Sequence, residues 1–204
     1  MVVETIVLCP DLAAATTYDR RALREAVPVA RAGDGLAPAN APAGTGSTSA
    51  ALPAVTAVVG GLADGRPTIT VVDIPAAQPG DDERTVRAHW VAYVSVQLSA
   101  SSTRGPVLLV LGGRSGALAP ALGFSQRAAR RQVAGYVLVD ADLPAADSEI
   151  GDWPDAPVAY LASPAATPAA IAHARLRGWR LVEVGDLTPT TLATALRALL
   201  DPRP

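Results

Sequence analysis

Short apolar runs alternate along this chain with longer stretches of helical spacing. Glu4 to Cys9, Thr68 to Ile74, Val107 to Leu111, Tyr136 to Val139, Pro157 to Leu161 and Arg180 to Val184 have the length and β-forming content of buried strands. Thr17 to Ala32, Ala51 to Leu62, Asp81 to Ser99, Pro168 to Leu176 and Thr190 to Leu200 read as helices. Boundary residues agree with this division: Thr16 or Thr17 and Thr188 or Thr190 suit N-caps, Gly178 closes a helix, and Asp81 opens one with an acidic first turn. Strands alternating with helices predict an α/β fold, a mostly parallel, twisted sheet of about six strands with helices on both faces and right-handed crossovers.

One segment breaks the alternation. Residues 33–50 consist almost wholly of Gly, Ala, Pro, Ser and Thr, which bury too little apolar area to offset backbone ordering. The expectation is a mobile insertion, serving either as a lid over a pocket or as a surface loop without a role. A chain of 204 residues, half of them apolar, fits one domain over residues 1–204.

Charge removes several function classes. A formal charge of −2 offers no concentrated basic surface, so neither nucleic acid nor an anionic membrane is expected as a partner. All 17 basic residues are arginine, which reads as coding bias. The single Cys9 forms no internal disulfide, no run reaches the roughly 20 apolar residues of a membrane span, and Glu4 interrupts the first apolar stretch. A cytoplasmic protein is expected, with a small molecule as its partner; a homodimer is neither required nor excluded. Two separated histidines and one cysteine supply no metal cluster, and no G-x-G-x-x-G or phosphate-loop lysine follows a strand, so no metal or other cofactor is expected.

The chemistry converges on the turn after Leu111. A buried strand that turns sharply into a helix through glycine lifts one side chain above the sheet edge, and in hydrolases that apex is the nucleophile elbow, G-x-S-x-G. Three registers fit here. Gly112 and Gly116 frame Arg114 as the apex; Gly113, Ser115 and Ala117 read G-x-S-x-A and keep a serine; the third places Gly113 at the apex.

That third register comes from a resemblance. LLVLGGRSGALAPALG resembles the H-S-x-A-G-x-x-x-P-A-L segment of small actinobacterial α/β-hydrolase-like proteins, and aligning Pro120, Ala121 and Leu122 sets Gly113 where their serine stands. Val133 to Pro144, Trp153 to Pro164 and Arg177 to Asp186 resemble later strands of that family, so the likeness covers most of the chain after Pro67. It implies a catalytic histidine after the last strand, where this chain has Gly185, Asp186 and Leu187 instead. It also implies that the loop Pro10, Asp11, Leu12 flanks an oxyanion hole. Proline has no N–H to offer there, and an inward Asp11 would repel an oxyanion.

Arg114, Ser115, Asp140 and Asp186 are therefore the candidate catalytic residues, with Asp11, Leu12 and Gly113 as candidate ligand-binding positions. Asp73 marks the carboxyl end of the second strand, as a turn cap or a pocket residue. If Arg114 is the apex, its guanidinium is expected near Asp140 and Asp186. The lost serine and histidine point away from hydrolysis, and the charges of Asp11, Arg114, Asp140 and Asp186 at carboxyl ends of strands point to a protein of this fold that binds a small organic molecule, as a cyclase, isomerase or epimerase of bacterial specialised metabolism. The alternatives are a catalytically dead binding or scaffold subunit and a serine hydrolase using Ser115 with an unusual base.

Overall fold

Successive side chains of a strand point to opposite faces, so a strand covered on both sides carries two apolar sets. In the computed structural model, which describes residues 3–12, 68–72, 81–101, 105–144 and 153–200, the strands inside the sheet satisfy this pattern. Six strands lie among the described residues. They are β1 (Thr5–Leu8), β2 (Thr68–Val71), β3 (Val107–Gly112), β4 (Val133–Val139), β5 (Val158–Ala162) and β6 (Arg180–Glu183). They form one sheet in the order β2-β1-β3-β4-β5-β6, and every neighbouring pair is parallel. The predicted helices Thr17 to Ala32 and Ala51 to Leu62, the segment 33–50 and Asp73 lie outside the described residues.

Helices α1 (Glu83–Ala100), α2 (Ala119–Ala128) and α3 (Pro168–Leu176) cover one face, and α4 (Pro189–Leu200) the other. Val7, Leu109, Leu111, Tyr136, Leu138 and Tyr160 pack with Trp90 and Val94 of α1, Leu122 of α2 and Ala174 of α3. The alternate positions Ile6, Leu108, Val110, Val137 and Leu161 pack with Leu192 and Leu196 of α4. The fold is thus α/β, with a parallel sheet covered on both faces.

Polar residues set the helix ends. The Asp82 carboxylate accepts the Thr85 N–H at 2.6 Å and starts α1, and Thr167 accepts the Ala170 N–H at 3.2 Å with Pro168 in the first turn of α3. β4 starts at Val133, three residues before the predicted Tyr136, because a register shift lets Val133 pair with Val107 while Gly135 pairs with Leu108. Among the three arginines near the end of α2, Arg127 lies in its last turn, and Arg131 donates to the Leu98 carbonyl near the end of α1. Among the described residues, no helix is long and apolar enough to cross a membrane.

The strand order positions the candidate site. β1 has β2 on one side and β3 on the other, so the chain leaves β1 in one direction and returns on its opposite flank. A crevice opens at such a switch point, outside the carboxyl ends of the two strands. Here those ends lead into Asp11 and Gly113.

Candidate functional site

β3 is buried along its whole length and leaves the sheet at Gly113, where the chain takes φ +52°. A side chain is strained at that angle and glycine is not. A single 3-10 segment, Gly113–Leu118, then leads into α2. Gly112, by contrast, is extended at φ −128°. Of the three registers, Gly113 alone has the left-handed backbone of a sharp strand-to-helix apex.

The space above that apex is filled from β1. A Cβ placed on Gly113 would lie 2.5 Å from Asp11 Oδ2, 2.8 Å from its Cγ and 3.0 Å from its Oδ1. The Arg114 N–H donates to Asp11 Oδ1 at 3.0 Å. In a hydrolase elbow, the N–H of the residue after the nucleophile is one of the oxyanion donors. Here that N–H points at a carboxylate of the protein itself, on a residue only 9% exposed. Leu12 follows as a buried core residue.

The other candidates are held separately. Ser115 is fully buried, and its hydroxyl donates to the Gly112 carbonyl at 2.7 Å, closing the turn from within. Arg114 does not stand by Asp140 and Asp186 as expected. Its guanidinium reaches the other way, to Glu83 Oε1 at 2.7 Å, which also accepts from Arg87 at 2.8 Å. Both partners of the Arg114 pair are about half exposed, at 48% and 59%.

Asp140 leaves β4 at φ +44°, a region where Asp is better tolerated than most residues. Its carboxylate accepts the Ser163 N–H at 2.7 Å and the Ser163 hydroxyl, joining the exits of β4 and β5. Asp186 is exposed after β6, its backbone carbonyl accepting the Thr188 N–H at 2.8 Å. The sheet order puts β6 three strands from β3, about 14 Å at the usual strand spacing. The catalytic candidates thus do not form one constellation; Asp11 and the Gly113–Arg114 turn do.

Three contributors had no separate standing in the sequence. Glu83 showed only as an acidic helix start. Ser163 and Asp142 each follow a strand, and that placement was the available signal. The Asp142 N–H donates to the Gly113 carbonyl at 2.8 Å, and Gly116 passes so close to Ala141 and Asp142 that a Cβ there would collide with both. The elbow is clamped by the β1 exit on one side and the β4 exit on the other.

The chain's two histidines sit on helices. His89 is exposed on α1, and His173 on α3 accepts from Arg177 Nε at 2.8 Å and stacks on Trp179. Burial pushes the Cys9 thiol up to about 12, leaving it protonated at neutral pH. Tyr160 is raised to about 12 by burial and then by the charges of Asp140 and Asp142, while its hydroxyl donates to the Ala141 carbonyl at 3.2 Å. Among the described residues, no three His, Cys, Asp or Glu side chains are grouped to hold a metal ion. A cavity of about 110 Å³ lies away from the elbow, between the sheet and the end of α4, lined by Leu108, Gly135, Val158 and Leu200 among others.

No family model matches the chain, and no curated protein matches it. Among solved structures, the crystal structure of ESTFA in its Fe-lacking apo form aligns at 16% identity with a TM-score of 0.37. The alignment covers 69% of this chain and 62% of that one, so the chain spans less than two thirds of its length.

Proposed function

We propose that this chain is a non-hydrolytic protein of α/β-hydrolase-like build, a pseudoenzyme that keeps the elbow and serves as a binding or scaffold subunit. The observation that carries this reading is the Asp11 carboxylate on the Arg114 N–H, above a glycine apex. Ester hydrolysis needs a nucleophile at the apex, a base beside it and a vacant oxyanion hole. Gly113 supplies no nucleophile, and both histidines lie on helices.

Electrostatics adds a magnitude. An oxyanion about 3 Å from the Asp11 carboxylate is repelled by roughly 5 kcal/mol at an effective dielectric near 20. That amounts to about four powers of ten in rate, comparable with what an oxyanion hole contributes. A charge of this sign in this place opposes the transition state it would have to serve.

The test is hydrolysis of p-nitrophenyl acetate together with labelling by a fluorophosphonate. The expected result is turnover no faster than that of Ser115→Ala and no labelling of Ser115. Stoichiometric labelling of Ser115 overturns the proposal and supports the serine-hydrolase alternative. A second reading, a cyclase, isomerase or epimerase acting on a small organic molecule, draws on one observation: Asp11 follows β1 at the switch point between β2 and β3, the kind of position where open α/β sheets bind ligands.

A further inference from the structure

We propose that the elbow is an anion site occupied by the protein's own carboxylate: Asp11 is its built-in ligand, and a small carboxylate such as formate or acetate takes the same place once Asp11 is removed. The inference rests on the reading of Gly113 as an apex without a nucleophile, and it goes beyond that reading by assigning the site a ligand class.

Three features define what fits. The Arg114 N–H is aimed at Asp11 Oδ1 at 3.0 Å, a donor directed at a negative acceptor. Gly113 lacks the Cβ that would fill the volume taken by the Asp11 carboxyl group, so the apex accommodates a planar group of three heavy atoms. The carboxylate is screened from water, with Asp11 only 9% exposed, so a replacement anion meets a desolvated donor and not a surface amide. These features match formate in the place of the carboxyl group alone, and acetate where the Asp11 Cβ is removed as well, as in Asp11→Gly. The position between the carboxyl ends of β1 and β3 agrees with where such sheets bind ligands. In the intact protein the contact is autoinhibitory, because an outside carboxylate enters only by displacing Asp11.

The experiment is chemical rescue. Asp11→Ala and Asp11→Gly each remove the carboxylate and leave the apex intact. Both variants are expected to melt below the parent protein. Sodium formate or acetate is expected to raise their melting temperatures saturably, by about 3–6 °C at ten or more times the dissociation constant. The parent protein at the same ionic strength should not respond, and acetamide, the neutral isostere of acetate, should not rescue. The Arg114 amide resonance supplies an independent readout: it should move upfield in both variants and return with acetate.

No rise in either variant, failure of both to fold with or without acetate, an equal rise in the parent protein, or equal rescue by acetamide each overturns the proposal. These outcomes are independent of the fluorophosphonate result. Labelling of Ser115 refutes the non-hydrolytic reading whatever acetate does, and absent rescue refutes the anion site while leaving that reading intact.

Discussion

Gly113→Ala puts a methyl group where the Asp11 carboxyl group now lies. At 2.5–3.0 Å the added carbon is too close to three atoms of Asp11 at once, and none of them is the loose end of a long side chain. The carboxylate must move, so its bond from the Arg114 N–H weakens or breaks; bonds to charged groups contribute about 1.5–3 kcal/mol. The backbone angle of +52° adds about 1–2 kcal/mol of strain for a residue with a Cβ. Reduced freedom of the unfolded chain offsets about 0.4–1 kcal/mol. The sum is a destabilisation of about 2–4 kcal/mol.

Urea unfolding of four proteins separates these effects: the parent, Gly113→Ala, Asp11→Ala and the double variant. With Asp11 reduced to alanine the clash disappears, so the Gly113→Ala step should fall to the strain less the unfolded-chain offset, at most about 1.6 kcal/mol. The expected coupling between the two sites is at least about 1 kcal/mol. Equal costs in both backgrounds would refute the contact on which the site rests. A neutral Gly113→Ala in the parent would refute the left-handed apex as well.

Two further outcomes follow from the same geometry. Arg114→Ala should cost no more than about 1 kcal/mol in thermal unfolding, because its partner Glu83 is solvent-exposed and keeps Arg87; a loss above 2 kcal/mol would mean the guanidinium has a buried role. Alkaline pH should destabilise the fold, since burial raises Tyr160 from 10.0 to about 12 and Cys9 from 9.0 to about 12, and raises Tyr136 as well. The unfolded chain then loses these protons first, so stability is complete below about pH 9 and falls as pH rises towards 12; Tyr160→Phe should flatten the fall between pH 10 and 12 in pH-dependent urea titrations.

The layered α/β sheet was legible in the chain because period and propensity act locally. Leu108, Leu109, Val110 and Leu111 are buried on both sides, and their unbroken apolar run says so without any knowledge of the neighbours. The elbow register was less legible, since Gly112 and Gly113 both permit a positive φ and only the hydrogen bonds of the surrounding turn decide which one adopts it. Arg114 was misplaced for a different reason. A long side chain at a sheet edge selects among carboxylates from separate elements, and Glu83 lies 31 residues earlier on a helix that local pattern cannot orient. Asp11 was recognised as hostile to an oxyanion if it pointed inward. That it points inward, and that the Arg114 amide accommodates it, depends on β1 and β3 being neighbours.

The clamp on Gly113 also bears on which substitutions the turn can accept. A serine at position 113 arriving alone would set its Cβ against the Asp11 carboxyl group before its hydroxyl met any substrate. Losing Asp11 alone leaves the Arg114 N–H without that acceptor and supplies no nucleophile. Neither single step supplies a nucleophile and a vacant donor together, so hydrolysis at this turn would require both substitutions plus a base. Asp11 thus guards the turn against acquiring a serine nucleophile one substitution at a time.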